Sequence, residues 1–153
     1  MNSRRMTLRF DSMDDIIPEV ERLRRGCRTV GTWSLAQICQ HLAMVARRVV
    51  DMPATDTPDR SQWVPPEQKA EVFRSGRIPE GLPAPDALLP PKDVDLDAAV
   101  EALRSALAYF KASDGPKVPH RFFGYLTRDE WEQLQCIHCA HHLSFAIPDA
   151  TSR

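Results

Sequence analysis

Histidines four residues apart on a helix place their imidazoles on one line, because the helix turns about 100° per residue. His138 and His142 stand at that spacing, in a run from Gln135 to Phe145 that holds three of the chain's five histidines. On a helical wheel Leu134, Gln135, His138, His142 and Phe145 fall within about 60° of Trp131, which puts the histidine pair at the centre of an apolar stripe. A neutral imidazole carries one donor and one acceptor nitrogen, and each needs a partner when buried. Hydrogen-bonded core histidines meet that need. So does a metal-free polar pocket, and so does one divalent ion that takes a lone pair from each ring. His141 lies about 60° round the helix from His138. It is a candidate catalytic base or ligand orienter, or else an exposed histidine at a dimer edge. Cys136 and Cys139 form a C-x-x-C in the same run. A thioredoxin-like motif opens a helix after a strand, and this one falls mid-helix with no strand before it, so redox chemistry is set aside.

Four helices are expected to position these groups. The first begins at Ser12, where Asp15 completes a weak capping pattern, and carries Met13, Ile16, Ile17, Val20, Leu23 and Cys27 toward Gly26, with Pro18 a point of kinking or restart. The second follows Ser34, with Gln37 as the other half of a capping box, and runs to about Asp51 before Pro53. His41 sits on the shoulder of its stripe, where a side chain can reach a cleft between helices. A third starts near Asp95 or Asp97 and ends before Gly115-Pro116. The last opens at Thr127 with Glu130 and runs to about Ala146, closed by Pro148. Thr7–Phe10 reads as a short extended lead-in. His120 falls in the linker before the last helix, at the mouth of a site or, more simply, on a surface loop.

Between the second and third helices, residues 52–94 hold nine of the 13 prolines. A short helix with Pro66 at its start breaks this crossover. Trp63, Val64, Ile78, Leu82 and Leu88 give it apolar anchors, so an ordered cover over the site is expected rather than a disordered loop. The fold class is therefore all-α: a four-helix bundle with a long Pro-rich crossover, in one domain over residues 1–153. Bundles build metal and ligand sites between facing helices, which suits His41 meeting His138 and His142.

The bulk properties narrow the partners. With 20 Lys and Arg against 21 Asp and Glu the net charge is -1, and no face collects the basic residues that a phosphate backbone needs. The Arg22–Arg28 run is interleaved with acids. No stretch approaches the roughly 18 apolar residues of a membrane span, and the N-terminus has positive charge without the apolar run of a secretory signal. Four cysteines as reduced thiols fit a cytoplasmic location.

The segment Trp33-Ser34-Leu35-Ala36-Gln37-Ile38-Cys39-Gln40-His41-Leu42-Ala43 is similar to the second-helix motif of the DinB-like superfamily. Phe122-Phe123-Gly124-Tyr125-Leu126-Thr127 with Glu130-Trp131, then His138-x-x-His141-His142-Leu143-Ser144-Phe145, resembles the DUF1569 branch, as does the opening Leu8-Arg9-Phe10-Asp11-Ser12. The resemblance implies a four-helix bundle, often dimeric, and a divalent-metal site, zinc or nickel, on His41, His138 and His142. It also implies a metal-dependent transferase or hydrolase acting on a small molecule with a low-molecular-weight thiol as cofactor. A binding module without catalysis is the alternative, since no carboxylate base falls on the histidine face. Many DinB-like chains read Arg-Gly-Gln after the second metal histidine. This chain reads Leu143-Ser144-Phe145, which removes the residues of any inherited substrate contact.

Overall fold

The structure is a computed structural model and describes residues 5, 8–78 and 85–150. Thr7, Leu82 and the prolines at 79 and 83 lie outside them. A single 3₁₀ turn, Met13–Asp15, leads into helix α1, Ile16–Arg24. Strand β1 is Cys27–Thr29 and helix α2 is Leu35–Asp51. Helix α3, Pro66–Ser75, and a 3₁₀ turn at Asp86–Leu88 punctuate the crossover. Helices α4, Leu96–Ala112, and α5, Arg128–Leu143, follow, and strand β2, Ala146–Pro148, ends the regular structure.

Three of the helix starts are set by side-chain caps. Ser34 Oγ accepts from Gln37 N at 3.1 Å while Ser34 N donates to Gln37 Oε1 at 3.0 Å, so both halves of the capping box are closed. Thr127 and Glu130 do the same for α5 at 3.1 and 3.0 Å. Asp95 caps α4 by accepting from Ala98 N at 2.9 Å. Pro66 stands at the first position of α3, where no N–H is needed, and Gly76 with φ 69° closes that helix.

The start of α1 differs from expectation. Ser12 caps only the 3₁₀ turn, through Asp14 N, and the α-helix begins at Ile16. Pro18 then falls in the first turn, where its missing N–H costs no intrahelical bond. Cys27 belongs to β1 rather than to the helix stripe.

The end of α5 is corrected too: the helix stops at Leu143, not Ala146. Ala146 pairs with Thr29, Ile147 with Arg28 and Pro148 with Cys27 in a two-stranded antiparallel sheet. Pro148 lacks an N–H and sits at the end of this ladder. The Arg5 guanidinium lies beside the Leu143 carbonyl at 3.4 Å and pairs with Glu19 at 2.8 Å, placing a cation at the C-terminal end of α5.

The structure is thus mostly helical, with this small sheet the exception. α2 packs along α4 and against α5, and α1 packs on both α4 and α5. Leu23, Leu42, Leu103, Phe110 and Leu143 are fully buried where these faces meet. The region from α4 to α5 is pinned to the crossover: Val64 N donates to Phe122 O at 2.8 Å, and Trp63 packs over Gly124. No helix among the described residues is long and apolar enough to cross a membrane.

Candidate metal centre

His41 projects from the middle of α2 and is 3% exposed. Its Nδ1 lies 2.7 Å from the backbone oxygen of Leu88. A carbonyl can only accept, so the proton of the neutral ring is on Nδ1 and Nε2 carries a lone pair. The crossover therefore does more than cover the site: its 3₁₀ turn fixes the tautomer of a buried histidine. This is the arrangement a metal-ligating imidazole shows when its far nitrogen is held by a carbonyl.

His138 and His142 meet His41 from α5. Their Nε2 atoms are 3.1 Å apart. The ring centroids of His41 lie 5.3 Å from those of His138 and 4.8 Å from those of His142, and both contacts are edge-to-face. Taking one nitrogen per ring, all three ligand atoms lie within 4.8 Å of one another, and no other described group of three His, Cys, Asp or Glu converges this way.

The donor set fits a divalent ion. Imidazole nitrogens bind zinc at about 2.0–2.1 Å, so two nitrogens 3.1 Å apart subtend about 98° at a shared ion, within the range of tetrahedral and octahedral sites. Nitrogens on one ion are never more than about 4.2 Å apart at those lengths. The wider pairs in this cluster close to that limit by ring shifts of a few tenths of an ångström.

The electrostatics keep these rings neutral. Burial lowers the pKa of His41, only partly offset by the Leu88 hydrogen bond. Burial and the neighbouring histidines push His138 down to about 3 and move His142 the same way. Both α5 rings retain some contact with solvent, but the dense protein around them still penalises charge. A neutral imidazole is the form that binds metal.

Trp33 closes one side. It precedes the Ser34 cap, and its ring lies 4.9 Å from His41 and 5.6 Å from His142, stacked at 21° on the latter. In the sequence it is only an apolar residue ahead of a helix cap. That position packs back onto the first turns of its own helix, which is the one signal that could have found it.

His141 is not in the group of three. Its half-buried ring meets His142 edge-on at 5.0 Å and Phe145 at 5.6 Å. It lines a groove of about 880 Å³ between the N-terminal segment and the outer face of α5, together with Leu8, Phe10 and Cys136. That groove is larger than the space at the triad, yet it gathers no convergent donor set.

His120 is not a surface-loop histidine. Its ring is half-buried and stacks on Phe123 at 4.8 Å and 18°. Burial, with Arg121 nearby, pushes its pKa down to about 4. The cysteines stay out of the chemistry. All four are free, Cys39 and Cys136 are pushed up to about 12 and 11 by burial, and Cys139 is raised as well. Glu130 caps α5 and pairs with Lys69 at 3.0 Å, so it offers no base at the triad.

The described residues thus define a mostly helical protein with a three-histidine cluster between its second and last helices. The chain belongs to the DUF1569 family, described as a protein of unknown function, whose family model matches residues 2–149. No curated protein matches the chain, and no solved structure does.

Proposed function

We propose that this chain binds one divalent cation, zinc or nickel, through His41, His138 and His142, and acts as a metal-dependent transferase or hydrolase on a small molecule. The observation that carries this reading is the convergence of three neutral imidazoles, one with its tautomer fixed by Leu88. Three protein ligands leave at least one coordination position open, the pattern of catalytic rather than structural sites. A divalent ion there supplies Lewis acidity and lowers the pKa of a water or thiol that reaches its open side. The chain's own residues do the rest. Leu88 orients His41, Trp33 limits solvent on one side, and His141 braces His142 as a positioning residue.

The same reading places the chain in the DinB-like superfamily, with α1, α2, α4 and α5 as a four-helix bundle in one domain, working as a homodimer. A low-molecular-weight thiol is the cofactor that this placement suggests. Four free cysteines fit a reducing, cytoplasmic setting. The second reading is a metal- or ligand-holding bundle without turnover, favoured by the absence of a carboxylate from the histidine cluster.

The test is elemental analysis of tag-free protein, then zinc or nickel titration of single alanine variants. His41→Ala, His138→Ala and His142→Ala are each expected to weaken binding by orders of magnitude, and His141→Ala to change it little. A wild type that binds no metal ends this reading. Turnover of thiol adducts by the loaded protein separates the enzyme from the binding module, and sedimentation at micromolar concentration checks the dimer.

A further inference from the structure

Gln135 is a polar residue on α5 that neither the helix nor the triad explains. It is 4% exposed. Its amide makes no hydrogen bond to any described residue, yet its polar atoms are not sealed off as Trp63 Nε1 is. Buried side-chain amides are nearly always partnered. One that is not, and that still opens on a small space, is available to something that enters that space.

Its position says which space. Gln135 lies three residues before His138 and seven before His142, about 60° and 20° round the helix from them. It is four residues after Trp131, on the same line. Long helical side chains lean toward the N-terminus of their helix, so Gln135 reaches over the turn between Trp131 and the two histidines.

His120 comes to the same stretch from the loop before α5, with its ring 5.7 Å from that of Trp131. Its Nδ1 accepts from Phe122 N at 3.0 Å and from Phe123 N at 3.2 Å. The proton of the neutral ring is therefore on Nε2, and that N–H has no partner among the described residues. The two-way backbone bridge between His120 and Gly124 holds the ring in place. A charge on His120 is felt at His138, so the two rings share one neighbourhood.

We propose that Gln135 and His120 form a carboxylate-binding station beside the three-histidine centre, each donating one N–H to a ligand oxygen. The choice of an anion rests on the metal reading above. A dication on three neutral imidazoles, with no carboxylate converging on it among the described residues, leaves its charge uncompensated. A small carboxylate offers one face to that charge and two oxygens to the two N–H groups.

The experiment uses the full chain loaded with cobalt(II), whose visible spectrum reports what reaches the ion. Acetate is the two-oxygen probe, and thiocyanate is a probe that needs only the ion. His120→Asn keeps an acceptor near the place of Nδ1, so the turn stays closed while the Nε2–H is lost. Gln135→Met keeps the volume and removes the amide. Both variants are expected to hold cobalt within about threefold of wild type and to bind thiocyanate as wild type does. Each is expected to bind acetate about tenfold more weakly, the worth of one hydrogen bond to a charged group. Unchanged acetate affinity in both variants overturns the station and leaves the metal reading intact, as does a wild type that binds cobalt but not acetate. Equal losses for acetate and thiocyanate assign these residues to the shape of the metal site and overturn it too. A wild type that takes up no cobalt removes the metal reading, and the station with it.

Discussion

Lowering the pH from 7 to 5 should destabilise the metal-free protein, and the structure sets the size of the effect. His138 and His120 have folded pKa values near 3 and 4, against an ordinary value of 6.5. The unfolded chain therefore binds more protons than the folded one below pH 6.5, so stability falls as pH falls through that value. For a group with an unfolded pKa of 6.5 that stays neutral when folded, the loss between pH 7 and 5 is about 1.9 kcal/mol. Both rings keep some contact with solvent, so roughly half of that, about 1 kcal/mol each, is a fair expectation after screening. His41 and His142 are lowered as well and add to the loss in the same direction. Urea unfolding in the presence of a chelator, at half-unit steps from pH 7 to 5, measures it. His138→Gln and His120→Asn, each of which removes one titrating ring, should flatten the slope by about 1 kcal/mol apiece over that range. A flat profile in the wild type, or an unchanged slope in both variants, would refute the claim that these rings are held neutral by their surroundings.

Three further outcomes follow from the packing. Gly124 has φ 71°, and a Cβ there would meet the Trp63 ring at 3.3 Å, so Gly124→Ala should cost about 1–2 kcal/mol in chemical denaturation; a loss under a few tenths would show that the Trp63 contact is slack. Half-buried Cys27 should react with a thiol reagent well before Cys39, Cys136 and Cys139, which should open only on unfolding; mass mapping of the first labelled site decides this. Trypsin should cut native protein after Lys69 and Arg74 far more slowly than a denatured control, because α3 and its Trp63 anchor are packed against the loop before α5; equal rates would sink the ordered-cover view of the crossover.

The helix starts were legible because their signals are local. Ser34 with Gln37 and Thr127 with Glu130 each close two hydrogen bonds within four residues, and nothing distant competes. The end of α5 was not legible, because Phe145 and Ala146 continue the apolar spacing of a helix. What stops the helix is the pairing of Ala146 with Thr29, a contact across more than a hundred residues. The triad could be read from spacing on α5 and from the position of His41 on α2. Its support could not, since Leu88 acts through its carbonyl and any residue has one. His120 was misread for the same reason. Its partners are the N–H groups of Phe122 and Phe123, which leave no trace in residue type.

The proton count at the triad argues for what the cluster is built to hold. His41 spends its proton on Leu88, so its Nε2 faces inward with a lone pair only. His138 and His142 oppose their Nε2 atoms at 3.1 Å, a distance at which two N–H groups cannot face each other, so this pair carries at most one proton between them. Three inward nitrogens then share no more than one proton. A cluster meant to bind an anion would need the reverse, with N–H groups pointing in, and the lowered pKa values of all three rings work against supplying them. Histidines that served only to satisfy each other would have no use for a carbonyl that removes the donor from the centre. An excess of inward lone pairs on neutral rings suits a cation. By the same logic any anionic ligand must bind beside the ion rather than in its place, where Gln135 and His120 bring N–H groups and not lone pairs.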